Sequence, residues 1–264
     1  MVTTGISTAS LFGRFKTEEA VSELAGKGVK TAEVFLESYC EYNKKFGKKV
    51  RKNKGDLIIH SVHTLTTQFE PQLYSLNERA QRDSFVLLEN TMRAAKEFGA
   101  KYYTFHGSAR FKKTPVKIDF DRHAAITRRI IEVCKKFGVT LAYENVHWSY
   151  YNYIGFFDRL REKTAGLKGT FDIKQARQSG VPYYEYIKEM GSDIVTAHLS
   201  DVDENGKMRL PGKGVTDFSE VFKRLKDVGF DGAVLIEAYQ SDFDEMRELY
   251  ESYDYLTELA DKIF

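Results

Sequence analysis

Seven times along this chain a glycine closes a helix-patterned stretch, and a short β-branched or aromatic run follows within a few residues. The junctions are Gly28 before TAEVFL, Gly55 before DLIIHSVH, Gly99 before AKYYTFH, Gly138 before VTLAYE, Gly166 before LKGTFDI, Gly191 before SDIVTAHL and Gly229 before FDGAVLIE. Glycine accepts the left-handed conformation that ends a helix and turns the chain into the next strand. With an opening strand around Thr4–Thr8, the punctuation counts eight βα units. Eight units in 264 residues match a (βα)8 barrel, for which roughly 250 residues is usual. A doubly wound open sheet is the competing α/β arrangement, but no G-x-G-x-x-G follows the first strand, which argues against its dinucleotide-binding form. The expected fold is therefore α/β, a single (βα)8 TIM barrel forming one domain over residues 1–264.

The intervening segments read as helices. Tyr39, Tyr42, Phe46 and Val50 fall on one helical face over residues 39–54, and Phe85, Leu88, Met92 and Ala95 do so in the next. Most strands are apolar on both faces, as in a parallel sheet covered by helices. Hydrophobic residues make up 42% of the chain, enough for a large core. Cys40 and Cys134 lie far apart with no metal-type spacing, which fits a reducing compartment and excludes a disulfide scaffold. The first residues, MVTTGISTASLFGRF, lack a charged n-region with a sustained apolar stretch, and no run of about 20 apolar residues occurs. A cytoplasmic protein with no membrane partner is expected. With 40 Lys+Arg against 38 Asp+Glu the net charge is +2, so no nucleic-acid partner is expected from bulk charge.

Chemistry in such a barrel gathers where strands pass into βα loops. The third to eighth strands end, in order, at His63, His106, Glu144, Asp172, His198 and Glu237. His, Asp and Glu together occupy about one position in six of this chain, so six consecutive strand ends are not a chance pattern. Two residues before each stand Ser61, Thr104, Ala142, Thr170, Thr196 and Leu235, which share the same strand face. Five of these are small, which leaves room in the barrel mouth for a ligand. Converging carboxylates and imidazoles are oxygen and nitrogen donors for one divalent metal, with Mn²⁺, Mg²⁺ or Co²⁺ expected and Zn²⁺ also accommodated.

At this point the chain resembles a known family. The stretches YEN 143–145, FDI 171–173, AHLSD 197–201, LPGKG 210–214 and LIE 235–237, with SVH 61–63 and FHG 105–107, are similar to the xylose isomerase-like TIM barrels. That superfamily holds sugar-phosphate isomerases and epimerases, ketose 3-epimerases, inosose dehydratases and the endonuclease IV type of repair enzyme. The resemblance implies metal ligation by Glu144, Asp172, His198 and Glu237, with Glu144 and Glu237 doubling as the acid/base pair. Where the family has a His three residues after the sixth-strand Asp, this chain has Gln175. Where the repair enzymes carry an Asp-x-His, it reads Gly206-Lys207-Met208.

The expected activity is a metal-dependent isomerisation or epimerisation of a small sugar, sugar phosphate or polyol through an enediolate, with the two Glu as acid and base. His63, His106, Gln175, Trp148 and Arg209 are expected to contact this carbohydrate substrate. Elimination from a cyclic polyol would use the same chemistry. Two alternatives differ in class: an endonuclease IV-like phosphodiesterase on abasic DNA, and a sugar-binding barrel without turnover.

Other features read as structural or as rim. The seven Lys or Arg in residues 44–54 read as a solvated outer helix face. In the loop HWSYYNYIGFF, Phe156 and Phe157 are expected in the core, with Trp148 and Tyr150 available to wall the site. His60, of opposite strand parity to His63, and His123, in a helix, are expected to be structural. Residues 64–77 and 200–214 read as long rim loops, the second carrying Lys207, Arg209 and Lys213 as a candidate lid.

Overall fold

A computed structural model describes residues 2–65, 69–110 and 117–264. Eight parallel strands close into a barrel in the order β1-β10-β7-β6-β5-β4-β3-β2. They are β1 (Thr3–Ser7), β2 (Thr31–Leu36), β3 (Ile58–Thr64), β4 (Tyr102–Phe105), β5 (Thr140–Glu144), β6 (Lys168–Asp172), β7 (Ile194–Leu199) and β10 (Ala233–Ile236). Two short strands, β8 (Asp201–Val202) and β9 (Met208–Arg209), form a hairpin on the rim. The expected (βα)8 barrel is thus the observed one.

Helices α1 (Thr17–Gly26), α2 (Lys44–Asn53), α3 (Glu78–Phe98), α4 (Phe120–Lys136), α5 (Phe156–Arg161), α6 (Ile173–Gln178), α7 (Tyr183–Met190), α8 (Phe218–Asp227) and α9 (Met246–Ile263) connect the strands. Each of the seven glycine junctions has positive φ. Gly99 shows the device, closing α3 at φ 82° with its N–H on the Ala95 carbonyl. The face Phe85, Leu88, Met92 and Ala95 is buried against the barrel. No helix among the described residues is long and apolar enough to cross a membrane.

Residues 39–54 are not one helix. Tyr39–Glu41 form a 3-10 turn and Asn43 starts α2, its side chain accepting the Phe46 N–H. Tyr42 and Val50 are buried while Tyr39 is 53% exposed, because the cap rotates Tyr39 off the shared face. The lysines and arginine of α2 point to solvent, as expected.

The parity argument for His60 fails, although its structural role stands. The β2–β3 register slips between Ala32 and Glu33, leaving His60 as an extra residue in β3. Such a bulge re-aims the side chain. A matching slip between Gly169 and Thr170 leaves Val195 unpaired in β7. The His60 Nε2 reaches across the barrel to the Val195 carbonyl at 3.1 Å and Thr196 Oγ1 at 3.0 Å. Burial drives its pKa down to about 4. The two bulges thus meet through a neutral imidazole that floors the barrel.

Candidate metal centre and active site

Glu144 ends β5, Asp172 ends β6, His198 lies in β7 and Glu237 follows β10. One donor atom from each lies within 4.8 Å of the other three. The His198 ring organises the group: its Nδ1 is 2.5 Å from Glu237 Oε2, 3.2 Å from Glu144 Oε1 and 3.9 Å from Asp172 Oδ2. Asp172 divides its labour, with Oδ1 capping α6 through the Gln175 N–H at 2.7 Å and Oδ2 turned to the cluster. The Glu237 side chain, 12% exposed, is more open than its three neighbours.

Electrostatics follow from crowding these groups in a dry site. Burial would depress His198, but Glu33, Glu237 and Glu144 outweigh it and hold the imidazolium far above its ordinary range. Burial raises Asp172 to about 7, with Glu144 and Glu237 adding to the effect. Burial also works to raise Glu237, but His198 and Lys174 hold it well below the usual carboxylate range.

The donor set fits a divalent cation. Glu144 Oε2 and Glu237 Oε2 meet imidazole nitrogens, His106 Nε2 at 3.2 Å and His198 Nδ1 at 2.5 Å, without an aligned hydrogen bond among the described residues, so neither oxygen is fixed by a hydroxyl or backbone donor and both can turn to a cation. Three carboxylates and one imidazole suit a hard or borderline metal, with no thiolate to demand a softer one.

His63 and His106 stand beside this quartet, their Nε2 atoms 2.9 Å apart. His106 Nδ1 faces Glu70 Oε2 at 3.1 Å, and its backbone N–H donates to the same oxygen at 3.0 Å. Its Nε2 lies 3.2 Å from Glu144 Oε2. A proton on Nδ1 toward Glu70 leaves the His106 Nε2 as an acceptor for the His63 Nε2–H. His63 then carries both protons. Burial opposes this, but Glu33, Glu237 and Glu144 raise its pKa to about 9. His63, His106 and Glu144 also form a ligand group of their own, as do Glu33, His63 and Glu237.

The remaining expected contacts divide. Trp148 sets its ring 5.4 Å from His106 and walls the mouth. Tyr150 instead stacks on His123 at 5.9 Å, away from the ligands, and Phe156 and Phe157 are fully buried. His123 is structural, stacked on Tyr74 at 4.2 Å. Gln175 spends its amide oxygen on His147, 2.6 Å from Nδ1 and 3.2 Å from the backbone N–H. Arg209 pairs with Asp203 at 2.9 Å in the β8–β9 hairpin. With Lys207 and Lys213 it lines a separate rim cavity of about 290 Å³. The candidate lid is tied down, since the buried Asp201 carboxylate accepts the N–H groups of Val202, Gly212, Gly214 and Thr216.

Three residues of the mouth escaped the strand-end reading. Glu33 sits in mid-strand, where an acid inside an apolar run was the available signal. Glu70, fully buried, comes from the rim segment read as polar loop; residues 66–68 of that segment lie outside the described residues. Lys174, 1% exposed, follows Asp172 by two residues. Its ammonium is 3.8 Å from Glu237 Oε1 and 4.2 Å from the centre of the Tyr239 ring. The inward small residues also serve differently from expectation, because Ser61 and Thr104 bond to the Glu33 carboxylate rather than vacating space.

This geometry accompanies a match over residues 19–259 to the family described as the xylose isomerase-like TIM barrel. The chain belongs to that family. A D-tagatose 3-epimerase-like protein shares the fold at TM-score 0.78 and 18% identity, covering 99% of this chain and 98% of the other. The D-psicose 3-epimerase of Clostridium cellulolyticum H10, solved with D-tagatose, superposes at TM-score 0.78 with 14% identity over 99% of each chain. The IolI protein with a bound zinc atom gives TM-score 0.80 at 14% identity, again over 99% of each. The uncharacterized protein MJ1311 of Methanocaldococcus jannaschii is 24% identical over 192 residues, which are 67% of this chain and 63% of that protein.

Proposed function

We propose that this xylose isomerase-like barrel is a metal-dependent isomerase or epimerase of a small sugar, sugar phosphate or polyol. The observation that carries the reading is the convergence of one donor atom each from Glu144, Asp172, His198 and Glu237 within 4.8 Å of one another. The family membership and the sugar epimerases among the structural neighbours support it.

Those four side chains would hold Mn²⁺, Mg²⁺, Co²⁺ or Zn²⁺, and the cation would supply positive charge that stabilises an oxyanion as a carbon-bound proton leaves. Glu237, kept ionised by His198 and Lys174 and the more exposed of the two Glu, takes the proton. Glu144 delivers a different proton on the other side, and is resupplied through His106, whose Nε2 takes a proton from His63 Nε2 at 2.9 Å and gives it to Glu144 Oε2 at 3.2 Å. His63, doubly protonated, donates to the substrate or to His106. The Lys174 ammonium, 3.8 Å from Glu237 Oε1 and 4.2 Å from the Tyr239 ring centre, would donate N–H groups to a substrate oxygen. Trp148 closes one wall with an apolar face suited to the carbon side of a sugar.

Metal analysis of the purified protein, followed by NMR of a ketose and ketose-phosphate panel in D₂O, tests the reading. Metal-dependent entry of solvent deuterium at one carbon is expected, and no exchange with any panel member in metal-loaded protein contradicts it. A second reading rests on the separate His63–His106–Glu144 ligand group, which a multi-metal phosphodiesterase would use. It requires at least two metals per chain and chelator-sensitive nicking of abasic duplex DNA; one tightly bound metal and no nicking are expected here.

A further inference from the structure

Glu33 projects from the middle of β2 into the barrel with no solvent exposure. Its Oε2 accepts hydrogen bonds from Ser61 Oγ at 2.7 Å and Thr104 Oγ1 at 2.6 Å, and its Oε1 accepts one from Ser7 Oγ at 3.0 Å. Residues of β1, β3 and β4 therefore fix one carboxylate of β2 in a single orientation. The same Oε1 faces two imidazoles, His198 Nε2 at 3.1 Å and His63 Nδ1 at 3.4 Å. Both nitrogens are buried and neither has an aligned hydrogen-bond partner among the described residues. These are ion-pair contacts whose N–H directions lie off the line to the oxygen.

An imidazole that gives one nitrogen to a metal must keep its proton on the other. The His198 nitrogen facing Glu144, Asp172 and Glu237 is Nδ1, and the one facing Glu33 is Nε2. A bare Nε2 would set a lone pair against an anionic oxygen, whereas a protonated Nε2 meets an acceptor. We infer that Glu33 is a positioning residue that keeps the His198 proton on Nε2, so that Nδ1 is presented bare to a divalent metal shared with Glu144, Asp172 and Glu237. The same oxygen faces His63 Nδ1 at 3.4 Å, while His63 Nε2 lies 2.9 Å from His106 Nε2, so one carboxylate adjoins an imidazole on each side of the mouth. This inference rests on the metal-dependent reading above.

The test uses the full chain with ¹⁵N-labelled histidine and Zn²⁺ as the probe, His198 being assigned with a His198→Gln variant. In the Zn²⁺-loaded wild type, His198 should show a protonated Nε2 and a metal-bound Nδ1. In Glu33→Gln, the Zn²⁺ affinity measured by calorimetry should fall about 10- to 100-fold, the usual effect of losing a carboxylate behind a ligating His. A merely structural Glu33 would change melting temperature and leave affinity and tautomer alone. Coordination through Nε2 overturns the inference, as does a Glu33→Gln protein that keeps its affinity within about threefold with Nε2 still protonated. If Glu33→Gln does not fold, the wild-type spectrum decides. Absence of Zn²⁺ uptake by the wild type overturns the metal-dependent reading itself, a result distinct from uptake with the wrong nitrogen.

Discussion

The two sides of the barrel mouth contain the same residue types arranged to opposite ends. On the β5–β10 side, Glu144, Asp172, His198 and Glu237 turn donor atoms toward one another, and two carboxylate oxygens remain without aligned partners. On the β2–β4 side, Glu33 is bound by three hydroxyls, and Glu70 by Thr64, Tyr103 and His106. On the first side the carboxylates meet chiefly imidazoles and one another; on the second, hydroxyl hydrogen bonds hold Glu33 and Glu70 facing His63, His106 and His198. Residue type alone therefore does not separate a candidate ligand from a support. What differs is the kind of contact, with hydroxyl donors fixing Glu33 and Glu70 and only imidazoles and other charges meeting the inner oxygens of Glu144 and Glu237.

The largest effect should come from the β5–β10 side. Asp172→Ala should abolish stoichiometric metal by elemental analysis, with Asp172→Asn as a companion that keeps the α6 cap. Unchanged metal content in both would erase the contrast. Next, Glu144→Gln and Glu237→Gln should each lower turnover at least about 10²-fold, the lower end of what general acid/base catalysis supplies. Deuterium exchange into whichever panel ketose reacts is the measurement, and near-normal rates in both would remove the pair from the mechanism.

A smaller effect separates mouth from floor. His60 titrates near 4 in the fold against 6.5 for the free group, so the unfolded chain takes its proton first on acidification. Its contribution to stability is complete above about 6.5 and is lost as pH falls toward 4. About 3 kcal/mol is at stake by linkage. Urea unfolding of the apoprotein at pH 7 and pH 4.5 should show this loss, and His60→Asn should flatten that part of the slope. Finally, Glu70→Gln should leave metal stoichiometry unchanged but cost about 1–3 kcal/mol of stability, the usual penalty for disturbing a buried network. Loss of metal in that variant would mean that the two sides do not divide as described.

The barrel and the six acid and histidine residues at its strand ends were legible in the chain alone. Glycine junctions and strand-like runs are local signals, and parallel strands in a closed barrel deliver their ends to one rim, so counting strands placed His63, His106, Glu144, Asp172, His198 and Glu237 together, while the family resemblance singled out the last four as candidate ligands. The sequence also separated Phe156 and Phe157, which are core, from Trp148 at the mouth. Tertiary structure alone decided the rest. Glu33 acquires its role from Ser7, Ser61 and Thr104, up to 71 residues away, and Glu70 from a rim segment with no strand-end position to flag it. His60 reaches Val195 because two register slips coincide across the floor, and Lys174 is a site cation because α6 starts directly at Asp172. Strand ends follow from the period of the chain. The partners of a buried charge follow from strand register and bulges, which are set when distant segments pack.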